Sequence, residues 1–189
     1  MLAGNTAYVP PNYAYESIAT VTIGSGGASS AEFTSIPGTY THLQIRGIVR
    51  STDTSEGRTG LQVQFNSDTA SNYSRHNVIG DGASASSEGQ INQSSMFGVN
   101  FMIPSATATS NTFAGIVFEL LDYANTNKYK TARMLIGFDN NGTSPLPGRV
   151  GLESSSWRST SAVTSIKLFP HTANFAQYTT FALYGIKGA

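Results

Sequence analysis

An all-β fold is predicted by three features of the chain: an antiparallel β-sandwich of jelly-roll or Greek-key type, preceded by an extended N-terminal arm. Short runs from Tyr15 onward alternate apolar and polar residues with a period of two, and small-residue turns separate them. Evidence for helix is poor, and the runs add up to about nine or ten strands at the spacing of a sandwich. No internal repeat of solenoid or propeller length is present. The expected organisation is an arm over residues 1–14 and one sandwich domain over 15–189.

The arm is read from Pro10 and Pro11, which forbid regular pairing and favour extended backbone, and from the apolar anchors Leu2, Tyr8, Val9 and Tyr13. A first strand is expected from about Glu16 to Ile23, ended by Gly24 to Gly27, and a second from Ala31 to Ile36 before a Pro37-Gly38 turn. Leu43, Ile45, Gly47 and Val49 then alternate with His42, Gln44, Arg46 and Arg50, setting an apolar face inward and a polar face outward. Ser51 to Gly60 is a polar loop, after which Leu61, Val63 and Phe65 resume the period.

From Asn66 to Ser95 the chain is rich in Asn, Ser, Gly and Ala, with Tyr73, Val78 and Ile79 as its few apolar anchors. Irregular loops around one short strand are expected there. Strand character returns in MFGVNFMIP from Met96, TFAGIVFELL from Thr112 and YKTARMLIGF from Tyr129. These runs are apolar on both faces, as in central strands covered on each side, or strands whose outer face is buried on a neighbouring subunit. Between the last two, LLDYANTNKYK is a turn, since Asp122, Asn125 and Asn127 favour local side-chain to backbone bonds over helix. VGLES, SIKLF and YTTFALYGIK complete the set. The expected core comprises Leu43, Ile45, Val49, Leu61, Val63, Phe65, Phe118, Leu135, Phe181 and Leu183.

Composition narrows the function classes. Charged residues are only 12% of the chain, and eleven Lys and Arg balance eleven Asp and Glu. The densest basic group, Lys128, Lys130 and Arg133, stands near Asp122 and reads as a solvated strand face, so no nucleic-acid partner is expected. A chain without net charge suits a protein held in an assembly better than a free monomer. With no cysteine, disulfides and thiolate metal sites are excluded. No secretory signal pattern and no membrane-spanning run are seen, so a mature, soluble chain with no membrane partner is expected.

The chemistry-bearing residues do not converge. His42, His76 and His171 lie on separate elements without an HxH or HExxH spacing. Glu119, inside the apolar run IVFELL, is the first carboxylate to weigh for glycoside hydrolysis, although an inward acid beside Arg133 explains it as well. Asp139, Asn140 and Asn141 before Gly142, and also Asp53 and Glu56, resemble oxygen-rich calcium loops, but DNNG is a good turn in its own right. No phosphate loop or GxSxG elbow occurs. Tyr73 and Trp157 could build an aromatic platform for a glycan, against the alternative of core packing. No catalytic residue, cofactor or metal is assigned.

The segments YESIATVTIGSGGASSAEFTSIPGTYTHLQIRGIVRS, NTNKYKTARMLIG and NFAQYTTFALYGIKGA resemble a family of small β-rich structural proteins of tailed bacteriophages, found as capsid decoration or cement proteins and as jelly-roll modules of tail fibres. The likeness covers most of residues 15–187 and is least between Ser51 and Ser95. It implies a jelly-roll-like sandwich, a homo-oligomer with a trimer expected, and a place on the virion exterior against a major capsid or tail protein. Two functions follow from it: a non-enzymatic structural protein that stabilises the particle through subunit contacts, or a tail-fibre-type module that recognises host surface glycan. Fold likeness does not separate these.

Overall fold

Thirteen β-strands and no helix make up the computed structural model over its described residues, 14–96, 102–141 and 148–188. In chain order they are β1 (Tyr15–Thr22), β2 (Ala31–Phe33), β3 (His42–Val49), β4 (Arg58–Thr59), β5 (Leu61–Phe65), β6 (Tyr73–Gly80), β7 (Ala85–Gln93), β8 (Ile103–Pro104), β9 (Ala114–Leu121), β10 (Lys130–Phe138), β11 (Arg149–Trp157), β12 (Ile166–Pro170) and β13 (Thr180–Ile186). Eight of them form one sheet in the order β1-β13-β3-β9-β10-β11-β6-β7. A three-stranded sheet, β2-β12-β5, covers part of its inner face, and β4 pairs with β8. Every strand pairing is antiparallel.

The period of two decides which residues fill the space between the sheets. Ile45 and Leu43 of β3, Phe118 and Leu120 of β9, Phe181 and Leu183 of β13, and Leu61, Val63 and Phe65 of β5 are all buried there. Phe65 joins the layers, its ring 5.6 Å from Trp157 in an edge-on contact and 6.4 Å from both Phe118 and Tyr73. The rings of Tyr73 and Trp157 stack at 6.2 Å.

Four expectations need correction. Residues 66–95 are not irregular loops around one short strand: two long strands, β6 and β7, form a hairpin over residues 73–93. The hairpin is hard to see in the sequence because β6 turns Arg75 and Asn77 inward with Tyr73 and Ile79, while β7 is an edge strand with almost every side chain exposed. The second strand stops at Phe33, before Ser35 enters the left-handed region at φ 54°. Leu135 is exposed, because β10 sends Lys130, Ala132, Met134, Ile136 and Phe138 inward and the odd-numbered positions outward. Lys130 is buried, its ammonium donating to the carbonyls of Asn125, Lys128 and Thr160 at 2.6, 3.0 and 3.1 Å, so it locks the turn into β10 and does not solvate a strand face.

Candidate functional site

The outer face of the eight-stranded sheet carries the feature least expected of a free monomer. Strand register lines up two neighbouring cross-strand rows there. The first runs Ile48, Gly115, Gly137, Val150, Gly80 across β3, β9, β10, β11 and β6. The second, two residues along each strand, runs Arg46, Val117, Leu135, Leu152, Val78. Three glycines hollow the first row into a furrow, and branched aliphatic side chains raise the second into a ridge. Ile48, Leu135, Val150, Leu152 and Val78 are each more than half exposed. Adjacent apolar side chains at that exposure form a patch of the kind that marks interaction surfaces.

A groove of ≈ 630 Å³ lies over the furrow, lined by Ile48, Gly115, Val117, Leu135, Gly137 and Val150, with Tyr178 at its end. A second hollow of ≈ 570 Å³ shares Gly137 and Val150 and continues to Asp81, Asp139 and Arg149. On the other side of the ridge a polar ladder borders the apolar strip. Arg46 donates to Gln44 at 2.8 Å, Gln44 donates to Glu119 at 3.3 Å, and Arg133 donates to Glu119 at 2.9 Å. The Arg46 guanidinium also sits 5.7 and 5.8 Å from the ring centres of Tyr15 and Tyr184, close enough for cation–π attraction. An apolar centre with a bonded polar rim is the anatomy of a protein contact surface.

The residues singled out from sequence fall elsewhere or into structural roles. Glu119 does meet Arg133, but on the outer face and not inward. Asp53 is buried in the loop before β4, where Thr172 and Ser55 donate to its carboxylate at 2.5 and 2.7 Å. Burial alone would raise its pKa, and these donors outweigh that and hold it below the ordinary value. The Asp139 carboxylate accepts the Asn141 amide at 2.6 Å, as in an Asx turn. No cluster of three or more His, Cys, Asp or Glu with metal-holding geometry occurs among the described residues. His42 accepts the Asp122 amide at 3.0 Å and His76 lies on the outer face of β6, so the histidines stay apart.

Tyr73 and Trp157 are brought together, yet inside the core, at 0% and 2% exposure. The glycan platform is therefore corrected: neither ring is available to stack on a sugar, because Phe65 and the sheet interior cover them. The anchors Leu2, Tyr8, Val9, Pro10, Pro11 and Tyr13 lie outside the described residues, as do residues 97–101 of the run from Met96.

One polar cluster is fully enclosed between β6 and β11. Arg75, Asn77, Glu153 and Ser155 face the same interior, and Arg75 lies 3.3 Å from Glu88 of β7 and 3.8 Å from Glu153. Burial pushes the Glu153 carboxyl up to about 8, Arg75 lowers it in part, and Glu88 raises it further. Burial thereby favours the protonated form of Glu153 in the folded protein. Several of these buried atoms lack a hydrogen-bond partner, including both amide atoms of Asn77 and the Ser155 hydroxyl. The space beside them, lined by Asn77, Met102 and Glu153, is too tight to admit a water molecule, so the cluster is an internal strut and not a ligand site.

The outer face was partly legible. Runs 112–121 and 129–138 read as apolar on both sides, which is the signal of Val117 and Leu135 on the ridge. Val78, Val150 and Leu152 fall in segments whose outward face the sequence does not mark as apolar, and they join the patch only through strand register. Among the described residues no helix is long and apolar enough to cross a membrane. Compared with known proteins, the chain matches no family model and no curated protein.

Proposed function

We propose that this chain is a non-enzymatic structural subunit that acts by forming contacts in a larger assembly, through the outer face of its eight-stranded sheet and its N-terminal arm. The observation that carries this reading is the aliphatic strip of Ile48, Leu135, Val150, Leu152 and Val78, left open to solvent in a chain with no net charge. Leaving that surface wet forgoes roughly 25 cal/mol for each Å² of apolar area that a neighbour would cover. The charged groups also suit a scaffold more than a catalyst: Glu119, Lys128 and Lys187 are spent on ion pairs with Arg133, Asp122 and Glu16.

The assembly we propose is the exterior of a tailed-phage virion, capsid or tail, on the strength of the sequence blocks that resemble that family. The chain is there a homo-oligomer against a capsid or tail protein, with Leu2, Tyr8, Val9 and Tyr13 as anchors of the arm and Pro10 and Pro11 limiting the freedom it gives up on docking. The glycan-recognition alternative is weakened by the burial of Tyr73 and Trp157.

The test adds the full chain, a form lacking residues 1–12, and Leu135→Lys to tailed-phage particles assembled without it. Saturable binding by the full chain, weakened in both altered forms while their thermal unfolding is unchanged, is expected. Absence of binding by the folded full chain, or turnover of a glycan abolished by Glu119→Gln, overturns the reading.

A further inference from the structure

The interior where β6 meets β11 is unlike the rest of the core. One strand further in, β10 turns Ala132, Met134 and Ile136 inward as part of the apolar core. Between β6 and β11 the inward cross-strand pairs at the centre are Arg75 with Ser155 and Asn77 with Glu153, all four buried. Six of their buried polar atoms have no hydrogen-bond partner among the described residues: Arg75 Nε and Nη1, both amide atoms of Asn77, Glu153 Oε1 and the Ser155 hydroxyl. Each has given up water without a partner in return, so the closed seam carries a cost that contact with solvent removes.

We infer that the β6–β7 hairpin is a strap that lifts off β11 as a unit while the rest of the sandwich stays folded. β7 is an edge strand with most of its side chains exposed, so moving it uncovers little apolar surface. On the outer face of the seam, Val78 and Leu152 are already more than half exposed. Arg75 donates to Glu88 at 3.3 Å, a bond that joins β6 to β7 and travels with the strap. Across the seam itself Arg75 and Glu153 stand 3.8 Å apart, beyond hydrogen-bond reach.

The firm anchor is at the Tyr73 end. The Tyr73 hydroxyl accepts the Phe65 amide and donates to the Asp68 carbonyl, each at 3.1 Å, and its ring stacks on Trp157. Arg158, just after β11, donates to the Ser71 carbonyl at 2.7 Å and to Asn92 at 2.8 Å, which pins both feet of the hairpin. At the far end the Asp81 carboxylate accepts from Ala83 and Ser84 of its own turn, and Arg149 of β11 is the weakest influence on it. Opening therefore runs from the turn between Gly80 and Ala85 toward Tyr73, and it carries Arg75 and Asn77 into water. The lift leaves β11 as the edge of a six-stranded sheet, with its N–H and C=O groups bare on that side. This motion belongs to the single chain and stands independently of the assembly reading above.

The chain has no cysteine, so a single introduced thiol reports local opening without competition. Ser155→Cys is a conservative change at a buried position of β11, and Ser155 is the cluster member nearest the anchored end, so its labelling requires the whole polar seam to part. Ala132→Cys, buried on β10 directly beside it, is the control that only global unfolding uncovers. Each labelling rate in native buffer is taken relative to that of the same thiol in the unfolded chain. Ser155→Cys is then expected to react at least about a hundredfold faster than Ala132→Cys. Adding Asn77→Leu with Glu153→Met, which replaces a polar cross-strand pair at nearly constant volume, is expected to shrink that ratio at least about tenfold. Equal rates at the two positions overturn the inference, because the hairpin then leaves β11 only when the whole domain unfolds. So does a ratio that the apolar pair leaves unchanged, since the polar seam would then not be what loosens the strap.

Discussion

The carboxylate of Asp68 accepts the indole N–H of Trp157 at 2.7 Å, tying the turn after β5 to the end of β11. Asn72 and the Ala70 amide donate to the same carboxylate, each at 2.9 Å. Burial alone would raise the Asp68 pKa, but Asn72, Trp157 and Ala70 together hold it below its ordinary value. Asp68→Ala leaves a buried indole donor without an acceptor, at an expected cost of about 1–3 kcal/mol. The lone tryptophan reports on it directly: its emission should shift on substitution, and the folded state should lose stability. Because the folded pKa is depressed, the carboxylate's contribution is present above pH 3.8 and lost as pH falls through the folded value. An acid unfolding curve that is the same for wild type and Asp68→Ala would refute the role.

Glu153 gives the opposite pH dependence. Its pKa is raised from 4.5 to about 8, mainly by burial, so its stabilising contribution is complete below 4.5 and is lost as pH rises through about 8. The loss for the deprotonated form is of the order of a few kcal/mol, shared with its neighbours Arg75 and Glu88. Glu153→Gln should therefore flatten the fall in melting temperature between about pH 5 and pH 8 and unfold later than wild type above that range. Parallel melting curves for the two proteins across this window would place the titration elsewhere.

Ile136 and Leu135 are adjacent in β10 and should respond in opposite ways. Ile136 is 2% exposed, so truncation to alanine opens a cavity and is expected to cost about 2–5 kcal/mol. Leu135 is 52% exposed and its truncation should change the stability of dilute, unassociated protein by no more than about 0.5 kcal/mol. Denaturant titration of both variants checks the pair. A loss of several kcal/mol at Leu135 would mean that its face is covered within the monomer.

That contrast shows what the sequence can convey. Alternation located β3, β5, β9, β10 and β13, because each has one strongly apolar face. It does not say which face of β10 is inner when Met134 and Leu135 are both apolar; the register with β9 and β11 decides that. β6 escaped because Arg75 and Asn77 face inward, a polar interior that no hydrophobic pattern announces. The furrow escaped for a related reason. Gly115, Gly137 and Gly80 are far apart in sequence, and only two sheet pairings and a hairpin bring them into one line.

Gly185 faces the ring of Tyr40, and a Cβ there would lie 2.3 to 2.5 Å from three ring carbons. Tyr40 has little room to yield, since its hydroxyl donates to Glu16 at 3.1 Å and its amide is held by the Tyr123 hydroxyl. Gly185→Ala is expected to destabilise by about 1–3 kcal/mol, as overpacking does. Gly24→Ala, with nothing within 4 Å of the new methyl, serves as the control and should be nearly neutral. Equal melting temperatures for the two variants would show that Tyr40 swings away freely.

Arg50 holds the loop between β8 and β9 by its carbonyls. One guanidinium nitrogen donates to Thr109 and Thr112 at 2.8 Å each, and the other to Ala108 at 3.1 Å and Ala106 at 3.4 Å. Burial lowers its pKa, but the cation persists because arginine starts so high. Lysine keeps the charge and loses the planar fork, so Arg50→Lys cannot serve four carbonyls arranged around two nitrogens. The expected result is a loss of about 1.5–3 kcal/mol, the worth of one charged hydrogen bond, with the effect centred on residues 106–112. Hydrogen exchange should report it as faster exchange at the Ala108 and Thr112 amides, which bond only within that loop, to Ser105 and Thr109. Amides of the central strands, such as Phe118, should keep their protection until global unfolding. Unchanged exchange at Ala108 and Thr112 would show that the loop's own turns hold it, with Arg50 a passenger.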